Sequence, residues 1–112
     1  MGPGLLESVY HKCMKKELSI RGLQFQSELM VPVLYKGLEI DTELKCDFFV
    51  ENILVVELKA VEHILPVHEA QIITYMKLLN SPEGLMIKFN TKNIFQVGQK
   101  TYVNELFRLL DD

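Results

Sequence analysis

The sequence has 112 residues, 48% hydrophobic and 24% charged, with a formal net charge of -3. That length supports one core without metal or disulfide staples, and the acidic balance excludes nucleic-acid binding driven by overall charge. There is no apolar run of transmembrane length and no signal-peptide pattern, and the two cysteines lack metal spacing, so a cytoplasmic protein with reduced core thiols at Cys13 and Cys46 is expected. After a Met1–Gly4 turn, Leu5 to Ile20 has helical periodicity. Leu6, Val9, Tyr10, Cys13, Met14 and Leu18 form its apolar stripe, and Lys12, Lys15 and Lys16 lie away from it. Glu7 aligns with Tyr10 and Met14 on the edge of the stripe, although the helix dipole alone also favours an acid in a first turn. Arg21-Gly22 stops the helix.

Leu23 to Lys36 and Leu38 to Val50 read as two extended segments around a Lys36-Gly37 turn, with Pro32 suited to an edge strand or a bulge. In the second segment Cys46, Phe48 and Val50 are expected on one face and Asp47 and Phe49 on the other. Glu51-Asn52 turns the chain into Ile53 to Ala60, an apolar, β-branched run that reads as the central strand. Short connections make these three strands an antiparallel meander. A helix follows from about Val67 to Leu79, with Gln71 and Tyr75 stacked at i and i+4. Leu85 to Phe89 is then a strand able to return parallel to the central one through a crossover. Asn93 to Tyr102 reads as a last extended segment bent at Gly98, and Val103 to Leu110 as a short C-terminal helix. One domain over residues 1–112 is expected.

The central strand carries the first chemical signal. Val55, Glu57 and Lys59 share one face, and Leu54, Val56 and Leu58 the other. A carboxylate and an ammonium thus leave a buried sheet in the same direction, which is costly unless they are paired, hydrogen-bonded or bound to a metal. A simple Glu57–Lys59 ion pair at a strand end satisfies that condition. Asp47 adds a second carboxylate on the neighbouring strand. His11 and His63 have no zinc-ligand spacing.

In order along the chain, Glu7, Asp47, Glu57-x-Lys59 and Gln71-x-x-x-Tyr75 resemble the motif set of the PD-(D/E)XK nuclease superfamily, with the last element similar to its RecB-like members. More narrowly, Gly4-Leu5-Leu6-Glu7-Ser8-Val9-Tyr10 resembles the signature of the GxxExxY family. The likeness continues through Val31-Pro32-Val33, Tyr35-Lys36-Gly37, Val56 to Ala60 and His68-Glu69-Ala70-Gln71. It covers Gly4 to about Asn90. Members of that family usually carry a helical stretch before the glycine signature, and here the chain begins almost at the signature.

The resemblance implies an α/β fold with a restriction-endonuclease-like αβββαβ core, a mixed sheet flanked by helices. It implies a metal-dependent nuclease, with DNA as the expected substrate. Mg²⁺ or Mn²⁺ would be held by Asp47, Glu57, the backbone carbonyl of Leu58, and Glu7 directly or through water. Lys59 would orient water or stabilise developing charge. Gln71 and Tyr75 would brace the carboxylates or touch the nucleic-acid backbone, although a core tyrosine and a glutamine capping a buried polar group are the plainer reading. Lys12 and Lys16 are where nucleic-acid phosphates would approach, although such a group is ordinarily a solvated helix face, and His68 could touch phosphate, although a local capping or hydrogen-bonding role is the favoured reading. The rival is a non-catalytic nucleic-acid-binding or interaction module that keeps the fold. No membrane partner is expected, and a homodimer is compatible with the sequence.

Overall fold

The computed structural model describes residues 3–40, 44–89 and 97–104. Helix α1 spans Pro3–Ile20 and is followed by β1 (Phe25–Met30), β2 (Val33–Tyr35), β3 (Leu38–Ile40), β4 (Lys45–Val50) and β5 (Leu54–Lys59). Helix α2 (Pro66–Leu78), β6 (Glu83–Phe89) and β7 (Val97–Val103) complete the described chain. The main sheet has five strands in the order β1-β4-β5-β6-β7, and β2 with β3 makes a separate hairpin. Strand β5 is parallel to β6, as the helical crossover demands, and the other neighbours are antiparallel. The expected αβββαβ core is therefore present as α1, β1, β4, β5, α2 and β6, with β7 added beyond it.

The two helices cover opposite faces of the sheet. Leu6 and Leu18 of α1, with half-buried Tyr10 and Met14, pack on Phe48, Val50, Val56, Leu58 and Phe89. Tyr10 stacks on Phe89 with ring centroids 4.0 Å apart. Ile72, Tyr75 and Met76 of α2 pack with Cys46, Phe49, Val55 and Met86 on the other face. The alternation expected along β5 is thus real, because Val55 joins the α2 core while Val56 and Leu58 join the α1 core.

Local chemistry sets the ends of these elements. Gly22 (φ 69°) closes α1 in a Schellman motif, its N–H donating to the Ser19 carbonyl and that of Leu23 to the Leu18 carbonyl. Asn80 (φ 53°) closes α2 in the same way, with Asn80 bonded to Lys77 and Ser81 to Met76. Glu51 and Asn52 both have positive φ, and the Ile53 N–H donates to the Val50 carbonyl at 3.0 Å, which closes the turn within a three-residue connection of β4 to β5. In the first turn of α2, Glu69 accepts bonds from Lys100 Nζ (2.6 Å) and Tyr102 Oη (2.7 Å) of β7.

Four expectations need correction. Each long extended segment breaks in two, the first at Pro32, which has no N–H for a ladder and follows the Val31 N–H bond to the Leu44 carbonyl that extends the β1–β4 pairing. The buried row of α1 is narrower than expected. Cys13 and Val9 are exposed, since they lie off the row of Leu6, Tyr10, Met14 and Leu18. On β4, Cys46 shares a face with Phe49 and not with Phe48 and Val50. The last extended segment is β7, and Val103 belongs to it. The rest of the expected C-terminal helix lies outside the described residues.

Gly84 shows how tightly α2 sits on the sheet. A Cβ there would stand 2.6 Å from Met76 Sδ and 3.2 Å from Ile72 Cδ1. Gly84→Val should destabilise the fold by about 1–3 kcal/mol through overpacking, read from urea unfolding midpoints.

Candidate active site

Asp47 sits where the sheet opens. Backbone pairing of β4 with β5 runs through Val50↔Leu54, Phe49↔Val55 and Phe48↔Val56, and then stops. The next bonds are made by side chains. The Asp47 N–H donates to Glu57 Oε2 at 2.7 Å, and the Leu58 N–H donates to Asp47 Oδ2 at 2.8 Å. Each strand thus lends a carboxylate to the other strand's backbone. On the outer side, β1 pairs Ser27 with Phe48 and Leu29 with Cys46 but skips Glu28, whose φ is 52°. Asp47 is therefore off the ladder on both sides, which explains why the side-chain alternation of β4 breaks there. Strand β5 stays in register with β6 through Lys59.

Beyond the fork, a chain of polar groups leads from β5 to α2. Lys59 Nζ donates to Gln71 Oε1 at 2.7 Å, and Gln71 Nε2 donates to the Tyr75 hydroxyl at 2.9 Å. Lys59 is thus held by an amide and makes no simple ion pair with Glu57 among the described residues. The i, i+4 spacing of Gln71 and Tyr75 supplies the reach, and Tyr75 packs into the core.

Electrostatics tie the acids together. Glu57 is 2% exposed. Burial first and the Asp47 charge second push its carboxyl up to about 8, against the Asp47 N–H and Lys59. Burial, then Asp47, also raises Glu7 on α1, and Lys59 pulls it down. Glu7 therefore senses both Asp47 and Lys59. Burial and the two strand carboxylates push the Cys46 thiol up to about 12, which leaves it an inert core group.

Glu7 and Asp47 line a cleft of about 310 Å³ with His11, Lys12, Lys15 and Glu28. Lys16 is exposed and does not line it. His68 stands elsewhere, with its Nδ1 accepting the Leu65 N–H at the start of α2. Two cleft residues escaped the sequence reading. His11 is one turn beyond Glu7, with its ring stacked on Phe48 at 4.4 Å and its buried Nε2 without a hydrogen-bond partner among the described residues. The i, i+4 step from Glu7 was the available signal. Glu28 had none, because its place opposite Asp47 follows from strand register alone.

The donor set fits a hydrated hard cation. Among the described residues no three acidic, histidine or cysteine side chains form a ready metal cage. Two crowded carboxylates with the Leu58 carbonyl suit an ion that keeps several waters, and the raised Glu57 marks a charge imbalance that a cation would relieve. The sign of the pH effect follows. Below the ordinary carboxylate range, Glu57 is protonated in both folded and unfolded chains. As pH rises towards about 8, the unfolded chain releases that proton and the folded one keeps it, so stability falls. Metal-free protein should lose stability between pH 5 and pH 8 relative to Glu57→Gln, as measured by melts of both in chelator.

Three comparisons bear on this arrangement. Among curated proteins no sequence matches significantly. Two solved structures share the fold. One is that of SSO0001, with a TM-score of 0.65 and 14% identity, over 90% of this chain and 51% of that one. The other is an alkaline exonuclease from Laribacter hongkongensis, with a TM-score of 0.61 and 10% identity, over 93% of this chain and 59% of that one. The chain thus spans little more than half the length of either. The family described as the PD-(D/E)XK nuclease superfamily, whose members generally use divalent metal ions, matches residues 1–101. With most of its length matched, the chain belongs to the PD-(D/E)XK nuclease superfamily.

Proposed function

We propose that this domain is a Mg²⁺- or Mn²⁺-dependent nuclease acting on DNA, of the GxxExxY group within the superfamily. The observation that carries the reading is the exchange of carboxylates across the β4–β5 fork, with Lys59 held beside it. Asp47, Glu57 and the Leu58 carbonyl would hold the cation, and Glu7 would reach it through water. When bound, the cation activates water and neutralises charge on the scissile phosphate. Lys59 directs its ammonium at that phosphate or at the attacking water. Gln71 fixes the ammonium through Oε1, and Tyr75 fixes the Gln71 amide, so the lysine's position is set two side chains deep. Lys12 and Lys15 line the cleft and offer contacts to flanking phosphates, with Lys16 beside them on α1. Both cysteines are unpaired, in keeping with a cytoplasmic protein, and no described helix is long and apolar enough to cross a membrane. Among the described residues nothing favours a homodimer.

Purified protein with single-stranded, duplex and branched DNA, and with RNA, tests the reading. Lys59→Ala should lower cleavage roughly 10²–10³-fold while DNA binding weakens modestly. Asp47→Asn should lose both cleavage and metal binding. Cleavage that survives Lys59→Ala would place the activity elsewhere, and metal-independent binding without cleavage of any substrate would favour the non-catalytic module. Mg²⁺ at ten times its dissociation constant should stabilise the fold by about 1.4 kcal/mol in thermal melts, and Asp47→Asn should remove that shift.

A further inference from the structure

A second recess lies on the α2 side of the sheet. It is a groove of about 400 Å³ whose walls include Leu44, Val67, His68, Ala70, Gln71 and Tyr75. It shares Gln71 and Tyr75 with the chain that holds Lys59. Its lining is mainly apolar, and Val67 at its edge is 66% exposed. Two donors interrupt the apolar surface. His68 Nδ1 accepts the Leu65 N–H at 3.0 Å, so in the neutral ring the proton sits on Nε2. Gln71 spends Oε1 on Lys59 and one amide hydrogen on Tyr75, which leaves its second amide hydrogen for a ligand.

We propose that this groove receives an unpaired nucleobase of the nucleotide next to the scissile phosphate, so that the substrate is single-stranded or frayed at the cleaved position. The proposal rests on the nuclease reading above. Continuity selects the occupant. Gln71 touches the lysine assigned to the phosphate and also lines the groove, so a base attached to that phosphate or its neighbour is the group within reach. The chemistry of the lining agrees. A base offers flat faces to the aliphatic wall, and acceptors on its edge for the His68 and Gln71 donors. A base in an intact duplex cannot enter without unstacking and unpairing, at a cost of a few kcal/mol.

The test separates the groove from the chemistry. Single-stranded oligonucleotides carrying 2-aminopurine at successive positions are bound to Lys59→Ala protein in Mg²⁺, and fluorescence is read at each position. The same scan is repeated in the Ala70→Leu, Lys59→Ala double variant. Ala70 is exposed on α2, so leucine there fills the groove without entering the core, and its melting temperature verifies the fold. The expected result is a change confined to one or two adjacent positions and lost with Ala70→Leu. In the active protein, an abasic site at that position should raise KM about 5- to 150-fold, the range for one stacked base. Ala70→Leu should erase the difference between abasic and normal substrate. Equal fluorescence change at every position, a local change that persists in Ala70→Leu, or equal cleavage of blunt duplex and single strand would overturn the proposal. A local, Ala70-dependent change without cleavage of any substrate would uphold the groove as a base site and refute the nuclease reading alone.

Discussion

The site depends on two backbone N–H groups that the sheet gives up. In an uninterrupted sheet, backbone N–H groups donate to the carbonyls of neighbouring strands. Here those of Asp47 and Leu58 donate to carboxylates instead, at 2.7 and 2.8 Å. Both N–H groups keep a partner at ordinary hydrogen-bond length, so the sheet can open without leaving a buried donor unpaired. The exchange also fixes the acids. Either carboxylate can swing away only by orphaning an N–H in the interior, at about 1–3 kcal/mol. Preorganisation of the acids and integrity of the sheet are one property.

That arrangement draws on both faces of the sheet. Glu7 reaches the fork from α1, and Gln71 and Tyr75 from α2, while Lys59 lies between them on β5. Burial first and the Asp47 charge second hold the carboxyls of Glu7 and Glu57 up, against the pull of Lys59. A second cation is the simplest way to complete the charge.

Much of the fold was legible because β5 follows a strict period of two and both helices end at residues that tolerate a left-handed turn. The candidate residues on β5 and α2 were legible for the same reason, since their relations are local: two residues apart, or four. Strand β4 was misread at Cys46 because its alternation fails at Asp47, and that failure comes from partners ten or more residues away on β5 and from Glu28 on β1. Glu28 adopts positive φ with neither the glycine nor the asparagine that usually signals it. Choosing among Lys12, Lys15 and Lys16 required knowing how α1 is turned against the sheet, which its half-filled apolar stripe did not fix. The separate β2–β3 hairpin was hidden because a proline and a turn mark where chain breaks fall, not which sheet a strand joins.

Glu69 carries a consequence of another kind. Its carboxylate binds two side chains of β7, and it sits two residues before Gln71. The last described strand is therefore a stay on the helix that sets the depth of the lysine support, although β7 is two strands away from β5. Substitutions at Lys100 or Tyr102 would therefore act on the Lys59–Gln71–Tyr75 chain through α2, without touching any of its members.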